Sequence, residues 1–426
     1  MTRNQTIIVG AAVGLVLIIA LMAIFGIGFR PPQEEKTVIK FWGLDSDKAA
    51  WESIARSYAS VDPAVVVEYT GLPESTYETT LLDALAAGTG PDIFLLRNDW
   101  FQKHKNKIVQ ATEEIATPAR VFESFPQVVT DTFVTEGFVW ALPVSIDTLA
   151  LVYNIDIFDN LAIPIPPTTW DEVRAVIPKI RSIRAGSISR SAIALGGSSK
   201  SVRNADDILQ LLMMQFNARL TDSGYSRATF ASREGEAATE FYMSFSNPRH
   251  TNYTWEESFA NSVVSFAKEQ VAMAPVYFGQ VAEIKAKNPD ITLGILPFPQ
   301  FNKDAPVNFP RFFGLAVSNK TRNYRSSWDF INFITTNPSA AFEYSRLSGQ
   351  PPALRSVIAQ YLQNPTLKVF ASQALSAKSW REPDSAEVSR IFNKMIESIL
   401  GNRADLERFL RIAEDEVSRA ISASRR

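Results

Sequence analysis

Residues 143–160 read PVSIDTLALVYNIDIFDN. Pro143 opens a turn, a short linker follows, and residues 149–153 (LALVY) form a continuous apolar run of the length of a buried strand. Asn154 is a polar stop with a helix start behind it. The stretch therefore predicts a turn, a linker, a buried strand and a helix, in that order.

Working towards the N-terminus, residues 37–42 (TVIKFW) read as a first buried strand. Lys48–Tyr58 reads as a helix with Trp51, Ile54, Ala55 and Tyr58 on one face. Residues 65–69 (VVVEY) give a second strand and 76–87 a second helix. In AAGTGPDIFLL the helix stops at Gly88 and a third strand starts at Ile93. Towards the C-terminus, PPTTWDEV (166–173) is a helix start, capped by Thr169 or Thr168, with Asp171 and Glu172 favouring the helix dipole. Residues 270–278, 291–299 and 312–318 read as strands. A helix follows over about 326–335, GQPPALRSV (349–357) breaks the helical run, and a packed terminal helix over 403–420 carries Leu406, Phe409, Leu410, Ile412 and Ala413 on one face. Strands alternating with helices predict a mainly parallel α/β sheet with ligand at its carboxyl edge.

At 426 residues the chain exceeds one ordinary core, so two lobes are expected. The formal net charge of -2 argues against a nucleic-acid partner. With no cysteine, disulfides, thiolate metal sites and a lipidated cysteine are excluded. His104 and His250 are the only histidines, so a histidine-based metal centre is not expected. No cofactor or metal is expected. Residues 7–29, IIVGAAVGLVLIIALMAIFGIGF, carry no charge. At ~1.5 Å per residue such a run can cross a hydrocarbon core of ~30 Å. A retained membrane anchor is expected, with cleavage after Gly28 as the alternative. Residues 1–6 then form a cytoplasmic stub and 30–36 a spacer.

The spacing P-V-S-x4-A-L-V-Y-N-x3-F-x-N closely resembles the signature of the family 1 extracellular solute-binding proteins, the group that contains maltose-binding protein. AAGTGPDIF (86–94), PPTTWDE, VAMAPVY, FFGLAVS and LSGQPPALRSV resemble further blocks of that family in the expected order. The resemblance implies a two-lobed periplasmic-binding-protein-like fold of type II, with a ligand cleft between the lobes, here preceded by one transmembrane helix. By that analogy residues 37–145 form the first part of lobe 1, 146–294 the first part of lobe 2, 295–350 return to lobe 1, and 351–426 are the helical return to lobe 2. Crossings fall near 142–147, 294–297 and 349–354. It implies a monomer whose large domain lies on the extracytoplasmic side of the cell membrane.

A sugar offers apolar C–H faces and hydroxyls, which aromatic planes, carboxylates and Arg match. In the family such groups sit on loops at strand ends. The candidates here are Trp42, Asp45 and Asp47, then Glu74 and Tyr77, then Asp99 and Trp100 beside Asn98. Ser145 and Asp147 come from the first crossing, Tyr277 and Phe278 from lobe 2, with Phe312 and Trp380 added. Each has a plainer reading. Trp42, Trp100 and Tyr277 equally suit a core, and Asp45 and Asp47 also suit a helix cap. Trp170 reads as structural, Asp92 as tying a strand end, and KHKNK (103–107) as a solvated face. GGSSK (196–200) lacks the spacing of a phosphate loop and reads as a polar loop.

The function implied is capture of a small solute, a sugar favoured, for ABC permease subunits and their ATPase, without catalysis. A tethered sensory or scavenging receptor is the alternative. A surface glycoside hydrolase, using two of Asp45, Asp47, Glu74 and Asp147 about 5–9.5 Å apart, is the remote one.

Overall fold

The computed structural model describes residues 3–24 and 36–425. Two sheets organise the chain. In the first, strand Thr37–Leu44 pairs in parallel with Val65–Leu72 and with Ile93–Arg97. Phe313–Ser318 runs antiparallel to Ile93–Arg97 and also pairs with Ile108–Val109 and Leu142–Pro143. In the second, Ser187–Ile193 is parallel to Val271–Val276, while Ala150–Asn154 runs antiparallel to Val271–Val276 and to Leu293–Leu296. The sheets are thus mixed rather than mainly parallel. Two of the reversed strands follow a crossing: Ala150–Asn154 and Phe313–Ser318 enter their sheets from the other lobe, not through a β-α-β turn, while Ser182–Arg184 is reversed by a hairpin with Ser187–Ile193.

Each lobe has its own core. The first contains Phe41, Trp51, Tyr77, Leu96, Phe133, Leu315 and Trp328, and the second contains Leu151, Trp170, Leu209, Met273, Phe298 and Phe392. The cores place the later crossings further along the chain than the sequence reading did. Phe298, Val307 and Phe309 belong to the second core, and Ala353, Val357, Phe312 and Ala377 to the first. From Trp380 the chain packs against the second core again, and from Val388 it is buried in it.

The helix Lys48–Tyr58 has the expected bounds and buries Trp51, Ile54 and Tyr58. Helix Trp170–Ile180 starts with a capping box: Thr169 accepts from the Glu172 N–H, and the Glu172 carboxylate accepts from the Thr169 N–H. Trp170 is fully buried and donates to Gln215 at 2.8 Å, and Asp92 accepts from the Lys40 N–H at 2.9 Å, both structural as read. The terminal helix Leu406–Ser424 packs through Leu410, Ala413, Val417 and Ile421, whereas Ile412 points outward.

The N-terminal helix spans Arg3–Ile24. Of the expected anchor, residues 25–29 lie outside the described residues, and the side chains of 7–9, 21, 23 and 24 do too. Among the described residues no helix is long and apolar enough to cross a membrane.

Candidate functional site

Two crossing segments meet in a two-residue antiparallel ribbon, Asp147–Thr148 against Pro310–Arg311, with Asp147 opposite Arg311. Such a short ribbon, belonging to neither sheet, is the kind of few-residue joint that absorbs dihedral change between lobes. Arg311 turns from it to Asp207 of lobe 2, with Nη2 donating to Oδ2 at 2.7 Å. The hydroxyl of Tyr277 donates to the same oxygen at 2.8 Å. The Arg311 guanidinium also covers the Tyr277 ring, 4.2 Å from its centroid.

Lobe 1 contributes the end of strand Ile93–Arg97. Arg97 Nε donates to Asp99 at 2.5 Å, and its Nη2 reaches Ser385 of lobe 2 at 3.0 Å. The guanidinium lies 4.7 Å from the centre of the Trp100 ring. Both arginines thus cover an aromatic face, pair with a carboxylate, and stand where the lobes meet. Asp206 and Asp207 come from the first turn of helix Ala205–Gln215, and buried Glu382 comes from the segment before helix Ser385–Gly401.

Burial dominates the acid chemistry. It raises the Asp206 carboxyl to about 6, assisted by neighbouring Asp207. It raises Asp147 to about 7, against the lowering pull of the Phe278 and Thr148 N–H groups and of Arg311. Glu382 is pushed well above the carboxylate range, first by burial, then by Asp99 and Asp207. These are shifts expected where like charges leave water together.

The expected residues divide. Asp99, Trp100, Asp147 and Tyr277 enter this assembly. Phe278 stands beside it, its N–H donating to Asp147 at 2.9 Å and its ring edge-on to Phe370. Trp380 is half-buried and donates to Gln210 at 2.6 Å, two residues before Glu382. Ser145 is half-buried and bridges to Pro352. Asp45 and Glu74 are exposed on lobe 1, and Trp42 is half-buried against the first core. Asp47 is buried and accepts from the Tyr344 hydroxyl at 2.9 Å, its carboxyl raised by burial. Tyr77 is not on the cleft: it is fully buried, donating to Trp42 O at 3.0 Å and accepting from Leu95 N at 2.9 Å. Phe312 is also a core side chain, 5.5 Å from the Phe133 ring.

The run at 103–107 is not a plain solvated face. Lys103 bridges Glu78 of lobe 1 at 3.2 Å and Asp384 of lobe 2 at 3.0 Å, and His104 is buried against Glu78. An open groove of about 670 Å³ runs along this seam past Asp384, Arg390 and Glu416, but none of its lining residues belongs to the buried cluster. The loop at 196–200 is polar as read, with Glu257 accepting from Ser198 and Ser201.

A family model described as bacterial extracellular solute-binding protein matches residues 56–369, most of the chain. The chain belongs to that family. A maltotriose-binding protein of Pyrococcus abyssi is 24% identical over 393 residues, covering 86% of this chain and 78% of that one. The crystal structure of a cyclic alpha-maltosyl-1,6-maltose binding protein from Arthrobacter globiformis superposes with a TM-score of 0.78 at 20% identity, over 91% of this chain and all of that one. UgpB from Mycobacterium tuberculosis, in complex with glycerophosphocholine, gives 0.72 at 20% identity over 92% of this chain.

Sequence reasoning did not single out Arg97, Asp206, Asp207, Arg311 or Glu382. Arg97 and Arg311 each stand directly beside named blocks, and the paired acids at 206 and 207 open a helix, where acids are ordinary. Their convergence lies in the packing of lobe on lobe.

Proposed function

We propose that this protein captures a small solute, with a sugar or oligosaccharide favoured, between its two lobes and delivers it to an ABC importer. The observation that carries the reading is the assembly of Arg97 and Asp99 from lobe 1, Asp207 and Tyr277 from lobe 2, and Arg311 from the crossing ribbon. Carboxylates and guanidiniums in this arrangement suit vicinal hydroxyls, accepting from one and donating to the next. Family membership and the sugar-binding relatives support the choice of solute. Closure about the ribbon at Asp147 and Arg311 would bury it.

The apolar run at residues 7–29 supports a retained tether holding the large domain outside the cell and close to its permease. Fractionation checks this point: the full chain should sediment with membranes, and a chain starting at residue 36 should not.

A thermal-shift screen against mono- and oligosaccharides, polyamines and short peptides tests the binding role. A solute at a hundred times its dissociation constant adds about 2.7 kcal/mol, an upward shift of several degrees. A shift confined to one saccharide class is the expected result. No shift with any saccharide, beside a clear one with peptides, would overturn the sugar reading.

A further inference from the structure

Arg381 stands at the seam between the lobes with its donors unused. Its half-buried guanidinium covers the Tyr225 ring, 4.5 Å from the ring centre. Among the described residues it makes no ion pair and donates no hydrogen bond, and its Nε is sealed from solvent without an acceptor. Arg97 and Arg311 differ, since each holds a carboxylate, Asp99 and Asp207. A buried N–H with no acceptor costs free energy. A guanidinium presents its N–H groups as a planar fork that fits the paired oxygens of a carboxylate or a phosphate.

Arg381 lines two adjoining spaces. The narrow one, about 20 Å³, lies against Asn98, Trp380 and Glu382, beside the arginine and carboxylate assembly of the junction. The wider one, about 220 Å³, shares Gln102, Tyr225 and Arg381 with it. That volume is many times the ~10–15 Å³ that one water needs. Lobe 1 gives the wider space Gln102, Lys105, Thr135 and Glu136, and lobe 2 gives it Tyr225, Arg381 and Arg425. Its charged groups are thus three cations against one carboxylate. Glu136 accepts from Lys105 at 3.0 Å, which leaves Arg381 and Arg425 without an acid there. Asp131 and Glu382 line only the narrow space. Tyr225 is held at φ 50°, in the left-handed region, with its ring under Arg381. A cavity with walls from both lobes, an excess of positive charge and a guanidinium with no acceptor calls for an anion.

We propose that the wider seam space is an oxyanion site. Arg381 clamps a carboxylate or a phosphate, Lys105 and Arg425 add charge, and Gln102 and Thr135 donate hydrogen bonds. The oxyanion bridges the lobes, because its partners come from both. It therefore favours the arrangement in which the lobes meet over the one in which they part. Resting on the solute-binding reading above, its favoured source is an acidic group on the solute itself, as in a uronate or a sugar phosphate. The narrow space lies between the seam site and the junction assembly, so one saccharide can set hydroxyls at Asp99 and Asp207 and its acid at Arg381. A free inorganic anion is the other source of the same chemistry.

The test is titration calorimetry and thermal melting on the full chain in mild detergent at low ionic strength. The probes are the trimer of galacturonic acid, its uncharged methyl ester, maltotriose and inorganic phosphate. The expected result is binding of the acid about tenfold or more tighter than of its ester, the scale of one hydrogen-bonded ion pair. Arg381→Gln should bring the two affinities within a few-fold without lowering the melting temperature of the free chain. Lys105→Gln, on the opposite wall, should reduce the preference in the same direction, and it decides the matter if Arg381→Gln does not fold. A saturable rise in melting temperature with phosphate, lost in Arg381→Gln and without preference for acid over ester, keeps the site and makes a free anion its occupant. The same rise with no saccharide bound keeps the site and removes the sugar reading. Absence of both the acid preference and the phosphate effect overturns the inference, and maltotriose binding would then leave the sugar reading standing. An acid preference that survives both substitutions also overturns it.

Discussion

Asp207 Oδ2 accepts from Arg311 of the crossing ribbon and from Tyr277 of its own lobe, so one oxygen ties the joint to the cleft wall. Hydrogen bonds to charged groups contribute about 1.5–3 kcal/mol each. If the proposed site is the binding site, Asp207→Asn should therefore weaken solute binding at least tenfold, read by calorimetry, because the Arg311 guanidinium loses its charged acceptor. Tyr77→Phe should do the opposite. The Tyr77 hydroxyl serves Trp42 O and Leu95 N inside the first core, and its loss leaves a buried N–H unsatisfied, costing about 1–3 kcal/mol in denaturant unfolding with unchanged affinity. Tyr77 and Phe312 show why sequence separates these cases poorly. An aromatic beside a strand end looks the same whether it turns into the core or the cleft, and only the partner across the sheet decides. Asp147 gives a pH signature. Burial raises its folded pKa from 3.8 to about 7, so its contribution to stability is full below 3.8 and is lost as pH rises through about 7. Asp147→Asn should flatten the fall in melting temperature across that window. An unchanged slope would mean that Asp147 does not hold its proton there.

At the scale of elements, local rules served well wherever local forces decide. The helix Lys48–Tyr58 was legible from its apolar period, and the start at Thr169 from the cap and the acids behind it. Thr169→Ala removes one half of the capping box and should cost about 1 kcal/mol in denaturant unfolding, with no effect on solute affinity. Strand direction was less legible. A crossing strand carries the same apolar run as a parallel one, and its reversal is set by where the chain comes from, as in Ala150–Asn154 and Phe313–Ser318. The later crossings were placed too early for a related reason. Pro and Gly clusters near 294–297 and 349–354 mark turns, but Phe298 and Phe309 still pack into the second core beyond the first of them.

At the scale of the whole molecule, the cluster exists only because two lobes with separate cores meet. Four of its members were legible because they follow strand ends or stand in the crossing: Asp99, Trp100, Asp147 and Tyr277. Arg97, Asp206, Asp207, Arg311 and Glu382 were not, since a charged residue in one element reads as solvated until the other lobe covers it. Lys103 to Asp384, Arg97 to Ser385 and the ribbon of Asp147–Thr148 with Pro310–Arg311 hold the lobes together. Such an arrangement closes on a solute only if the solute gains more in the closed state than in the open one. The chain has no cysteine, so two introduced at the exposed positions Lys48 of lobe 1 and Lys287 of lobe 2 would carry the only spin labels. The most direct measurement is the distance between those labels, by pulsed electron resonance, with and without the solute found by screening. Closure predicts that saturating solute narrows a broad distribution to its short end, and that Asp207→Asn abolishes this at the same concentration. A distribution unchanged by saturating solute would contradict binding by lobe closure at this site.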